Sequence, residues 1–184
     1  MENVQIGNWK RKSRQKKYSN NWITVFHDEV VNPNEGHGIY GVVHFENLAI
    51  GVIPIDENGY TWLVGQHRYP QNKFSWEIPE GGGKLDVEPL LSAQRELQEE
   101  VGLAANHWQL ILKMDLSNSV SDEEAIIYLA KELYQVEKQP DETEELHLKH
   151  LPFLEVYQMV LDGEITDSMS VAGILKAHIL LYKK

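Results

Sequence analysis

Between residues 89 and 101 the apolar positions change their period. Leu90, Ala93, Leu97 and Val101 recur at helical spacing, with Pro89 suited to a first helical position and Gly102 to a stop. The spacing predicts a helix over 89–101, set among strand-like segments. Upstream, Trp22–Val30, Ile39–Phe45, Leu48–Ile55 and Tyr60–Val64 read as strands, broken by Asn32-Pro33-Asn34-Glu35-Gly36, Glu46-Asn47 and Asp56-Glu57-Asn58-Gly59. Trp76-Glu77-Ile78 reads as a short strand ended by Pro79, and Glu80-Gly81-Gly82-Gly83-Lys84 as a loop. Downstream, Trp108–Met114, Ala125–Leu129 and Leu146–Leu151 read as strands, and Phe153–Leu161 as a helix. A last helix runs from Ser168 to Leu181, capped by Asp167 or Ser168, with Val171, Ile174, Leu175 and Ile179 as its expected buried face. This order gives an α/β domain with a mixed sheet.

A chain of 184 residues suits one domain, and the absence of cysteine excludes disulfide frameworks, thiol catalysis and Cys-ligated metals. No apolar stretch is long enough to span a membrane, and the segment from Met1 to Lys10 has no signal-peptide core, so the cytoplasm is the expected compartment. Residues 10–17 hold six cations and no anion; with a net charge of −11 overall, the rest carries −17. Such an acidic body repels polyanions, so the basic run reads as a solvated segment near a mobile terminus rather than a nucleic-acid arm. Gly36-His37-Gly38-Ile39-Tyr40-Gly41 matches a dinucleotide fingerprint in letters only, because Val42, Val43 and Phe45 continue a strand where that motif opens a helix. His147 and His150, three apart in a strand, point to opposite faces and share no ion.

Glu96, Glu99 and Glu100 fall at i, i+3 and i+4 of the predicted helix. Like charges at that spacing destabilise a helix unless a cation lies among them, and all-oxygen ligands favour a hard ion, Mg²⁺ first and Mn²⁺ or Ca²⁺ next. A solvated acidic face paired with lysines has the same spacing, and spacing alone leaves both readings standing.

The wider pattern is more specific. Gly81, Arg95-Glu96-Leu97, Glu99-Glu100 and Gly102-Leu103 resemble the Nudix box, G-x5-E-x7-R-E-U-x-E-E-x-G-U with U bulky and aliphatic. The departure is Val87, which stands in the place of the first glutamate. Val64-Gly65-Gln66-His67-Arg68-Tyr69-Pro70 and Trp76-Glu77-Ile78-Pro79-Glu80-Gly81-Gly82 are similar to the segment before the box in the ADP-ribose pyrophosphatase branch, and the likeness runs from about Trp22 to Leu181.

The resemblance implies an α/β/α sandwich with a mixed sheet over 46–184, preceded at 1–45 by a basic segment and antiparallel strands that pair two copies into a homodimer. It implies hydrolysis of a nucleoside diphosphate linked to a sugar, ADP-ribose first. Glu96 and Glu100, with Glu99 and the backbone carbonyl of Glu80, would hold Mg²⁺, and Arg95 would orient the carboxylates. Arg68, Tyr69, Glu77, Gly81 and Gly82 are the expected substrate contacts, and Glu144 or, second, Glu142 the general base. Glu123 is a further candidate ligand. Asn118 and Ser119 stand where that branch often has a proline, which keeps GDP-mannose and other sugar nucleotides open. A nucleotide-sugar sensor without catalysis would be expected to lose the helix glutamates, which this chain keeps.

Overall fold

The computed structural model describes residues 3–138 and 145–182. The chain divides into two compact units, one comprising residues up to Leu48 together with Asp115–Glu124, the other Ala49–Met114 with Ala125–Lys184.

In the first unit, β1 (Val4–Ile6), β2 (Trp9–Ser19), β3 (Ile23–Val31) and β4 (His37–Phe45) form an antiparallel sheet in sequence order. The basic run is therefore the strand β2, not a loose terminal segment. Cross-strand pairing is what orders it. Arg14 lies opposite Asp28 and donates from Nε and Nη2 to both carboxylate oxygens, at 2.8 and 2.7 Å. Its guanidinium also covers the Phe26 ring at 4.4 Å. Two register shifts, between Arg11 and Ser13 and between Lys16 and Tyr18, bend the strand. Residues 115–124 rest on β4, where the N–H of Val43 donates to Val120 O at 2.8 Å and His44 Nδ1 meets Asp122 at 2.6 Å.

The second unit is built on two parallel strands whose paired segments are almost wholly apolar. β5 (Asn47–Pro54) and β10 (Glu123–Gln135) pair in parallel from Ala49↔Ala125 to Pro54↔Ala130. Continuous apolar runs belong in strands covered on both faces. Successive side chains here are covered from opposite sides. Ile50 approaches Gly83 and Ser92, on the side of α1 (Pro89–Glu96). Gly51 faces the other way, toward Met169, and Gly173 lies against Ile53 and Ile127, on the side of α3 (Ser168–Tyr182). The full sheet has the order β8-β5-β10-β9, with β8 at Glu80–Lys84 and β9 at Leu103–Leu116.

A second antiparallel sheet holds β11 (His147–Pro152), β6 (Tyr60–Arg68) and β7 (Lys73–Glu77). Gly65 leaves room for the Phe74 and Trp76 rings across the pair. The helix α2 (Phe153–Leu161) buries Phe153, Val156 and Met159.

Two further expectations are corrected. The Gly-rich segment 80–84 is the strand β8, because without Cβ atoms its backbone fits between Ile50, Ser92 and Glu96. The buried face of α3 is Met169, Ser170, Gly173, Ile174 and Ala177, with Val171 and Leu175 half-buried and Ile179 46 % exposed. Small residues let that helix approach the sheet closely, so the larger aliphatics sit to the sides.

Ile127 is fully buried between β5 and α3. Ile127→Ala is expected to lose ~2–5 kcal/mol and lower Tm by roughly 5–15 °C in circular dichroism melts. A shift below about 3 °C would contradict a closed layer at this point.

Candidate active site

Pro89 begins α1, and the helix widens into a π-type turn over Leu97–Val101 before Gly102, at φ 77°, ends it. Ala93 and Leu97 are fully buried, which fixes the roll of the helix and sends its carboxylates toward β8. The wider turn breaks strict i, i+3, i+4 spacing. Glu96 and Glu100 are buried, whereas the Glu99 side chain is 29 % exposed.

Each of the three glutamates is held differently. The Glu96 carboxylate lies directly on Gly81, where any Cβ would overlap it. Glu100 Oε2 accepts the backbone N–H of Glu80 at 2.9 Å. Arg95 donates from Nη1 to Glu99, and from Nη2 to Glu96 and to the Gly82 carbonyl, the last at 2.7 Å. Burial works against the Arg95 charge, but Glu96 and Glu99 outweigh it and raise the pKa. One guanidinium thus separates two like charges and ties the helix to β8.

A second arginine organises the other side of the turn. Arg68, at the end of β6, donates from Nε and Nη2 to Glu77 and from Nη2 to Glu80 Oε1 at 3.0 Å. Burial lowers the Arg68 pKa, yet the bonds and charge of Glu77 turn the net shift upward. Its planar fork is engaged by carboxylates, while Tyr69 beside it is 93 % exposed. Glu77, Glu80 and Asp167 bring one carboxylate oxygen each within 4.8 Å of one another, the one such acidic group among the described residues. Asp167 also caps α3, accepting the Ser170 N–H at 2.8 Å. The sequence marked Asp167 as a cap only; nothing in its local pattern places it beside residues ninety positions earlier.

The donor set suits a hard divalent cation. It is all oxygen, carries excess negative charge and includes Glu80 Oε2, a buried oxygen with no hydrogen-bond partner among the described residues. Burial, then the charges of Asp167 and Glu77, push the Glu80 carboxyl well above its usual range, against the pull of Arg68. Along the Arg95–Glu99 side of the helix runs a groove of about 460 Å³, lined also by Gln94, Gln98, Trp108 and Tyr134. Glu142 and Glu144 lie outside the described residues. Glu123 belongs to the first unit, where burial raises its carboxyl.

A carboxyl with a raised native pKa binds more protons folded than unfolded, so its contribution to stability declines as pH rises from the unfolded value toward the folded one. Glu80→Gln removes that titration. In metal-free buffer with chelator, the Tm of this variant relative to the native chain is expected to climb by at least about 2 °C between pH 5 and pH 8. A difference that stays flat across the range would refute the buried, proton-binding state of Glu80.

Comparison with known proteins places this geometry. Residues 46–168 match the NUDIX domain, and residues 9–43 match the nucleoside diphosphate sugar hydrolase N-terminal domain. The chain is 38 % identical to an ADP-ribose pyrophosphatase of Mycobacterium tuberculosis over 157 residues, covering 82 % of this chain and 74 % of the relative. It is 26 % identical to an ADP-ribose pyrophosphatase of Bacillus subtilis over 164 residues, 88 % of each. A crystal structure of an ADP compounds hydrolase superposes with a TM-score of 0.86 at 18 % identity, covering 97 % of this chain and 96 % of that one. The match over 46–168 spans well over half the chain, and it contains Gly81, Arg95 and the three helix glutamates: this protein is a hydrolase of the NUDIX family.

Proposed function

We propose that the protein is a Mg²⁺- or Mn²⁺-dependent pyrophosphohydrolase that splits ADP-ribose, or a closely related sugar nucleotide, into a nucleoside monophosphate and a sugar phosphate. The observation that carries this reading is the packing of Glu96 and Glu100 onto the backbone of Gly81 and Glu80. A solvated acidic face would leave those carboxylates in water; here they are buried. The names of the two ADP-ribose pyrophosphatase relatives supply the substrate class.

Glu96 and Glu100, with Glu99 and the Glu80 carbonyl, would hold the cation, which when bound supplies neutralisation of the diphosphate and activation of a water. Arg95 keeps Glu96 and Glu99 apart and in place, so little reorganisation is needed when the diphosphate arrives. The groove beside Arg95 and Glu99 has a volume within the range of small-molecule sites and offers Trp108 and Tyr134 as walls. The general base is assigned to the acidic segment before β11, Glu144 first and Glu142 second, on the resemblance alone. Exposed Ile6, Trp9, Trp22 and Ile39 on the N-terminal sheet support pairing with a second copy, measurable as dimer mass by light scattering.

Glu100→Gln keeps shape and removes charge. Its kcat on ADP-ribose at saturating Mg²⁺ is expected to fall by at least about 10²-fold. A panel of ADP-ribose, GDP-mannose, UDP-glucose, NADH, diadenosine polyphosphates and capped RNA, read by product chromatography, tests the substrate. AMP and ribose phosphate released fastest is the expected result. Full turnover by the Gln variant would overturn the assignment, as would tight ADP-ribose binding without cleavage.

A further inference from the structure

Ile78 and Pro79 carry the chain from β7 in one sheet to β8 in the other, and each successive polar group is fastened to a different element. The Ile78 N–H donates to Ser170 Oγ at 2.9 Å, 92 residues away. The Pro79 carbonyl accepts the Val52 N–H of β5 at 2.8 Å. The Glu80 N–H donates to Glu100 Oε2 at 2.9 Å. Ser170 is fully buried in the first turn of α3, and its own N–H is fixed by the Asp167 cap at 2.8 Å. The cap orients the turn, the turn aims the hydroxyl, and the hydroxyl holds the peptide two residues before the one that bonds Glu100.

We propose that Ser170 is a positioning residue for the metal-binding carboxylates, acting on Glu100 through the backbone of Ile78–Glu80. The inference rests on the metal-dependent reading above and adds to it a residue on the C-terminal helix. Without Oγ, a buried N–H loses its acceptor and the crossing shifts to find another. The Glu80 N–H moves with it, and its bond to Glu100 Oε2 is weakened. Loss of such an outer partner typically weakens metal binding 10- to 100-fold.

The test follows Mn²⁺ uptake by electron paramagnetic resonance of the free ion, starting from metal-free protein, beside thermal melts. Ser170→Ala is expected to weaken Mn²⁺ binding by about tenfold or more. In kinetics it raises the Mg²⁺ concentration for half-maximal rate more than the KM for ADP-ribose. S170T retains the hydroxyl and binds Mn²⁺ within about threefold of the native chain, whereas its isostere S170V matches S170A. This pair makes the comparison at constant volume even where S170A does not fold. Ile174→Val trims a buried side chain of the same helix; it lowers Tm and leaves Mn²⁺ uptake unchanged. Native affinity in folded S170A or S170V, or equal weakening by I174V, would overturn the proposal for Ser170 alone. Absence of Mn²⁺ uptake by the native chain, or uptake indifferent to Glu100→Gln, would remove the metal reading itself and this inference with it.

Discussion

Two buried carboxylates meet a strand of backbone at closest approach, and the rest of the second unit is arranged to make that contact sustainable. Glu96 sits on the Cα of Gly81, and Glu100 takes the next N–H upstream, from Glu80. A buried carboxylate is costly unless it is paired or hydrogen-bonded. The structure meets that demand at Glu96 with the Arg95 guanidinium and at Glu100 with the Glu80 peptide N–H. Glycine at 81 is a steric requirement of the same contact. The helix can present its acids so close to β8 because Ala93 and Leu97, their i−3 neighbours, lock the adjoining side into the core.

The elements with strong periodicity were legible in the sequence: the helix over 89–101, the helix from Phe153 to Leu161 and the apolar runs at 48–55 and 125–129 all stand where their patterns place them. What escaped was decided by contacts between distant segments. Glycines signal a turn locally, but at 81–83 they admit neighbours against a strand. The basic run looked unpaired because its partner strand, with Asp28 opposite Arg14, is invisible to a local window. In α3 the hydrophobic period pointed to the large aliphatics, while packing selected Gly173 and Ala177.

The site residues divide in the same way. Glu96, Glu99 and Glu100 stood out because like charges on one helix conflict with helix stability, but the resemblance to the box, not the spacing, chose between the two readings. The acid group of Glu77, Glu80 and Asp167 was not, since it joins the end of one strand, the start of another and the cap of the last helix. Arg68 had the chemistry of a phosphate fork in sequence; in the fold its Nε and Nη2 donate to Glu77 and Glu80. Each arginine spans two carboxylates of the turn, Arg95 from the helix side and Arg68 from the sheet side. Two cations among six acids leave the centre negative even with a proton on Glu80, the condition under which a divalent ion is attracted.

That balance also accounts for the departure at Val87. The half-buried valine sits in a turn closed by its N–H to Lys84 O at 3.1 Å. Glu88, the next residue, precedes α1 with no side-chain cap bond, and its charge acts on Tyr128, where burial is the larger influence. The loop is instead ordered from its two ends. β8 joins the sheet beside β5, and Arg95 holds the Gly82 carbonyl at 2.7 Å with the nitrogen that also reaches Glu96. A carboxylate at 87 would add charge to a segment already fixed by strand pairing and by one arginine. With valine at 87, the helix acids of this chain keep their contacts to Gly81, Glu80 and Arg95.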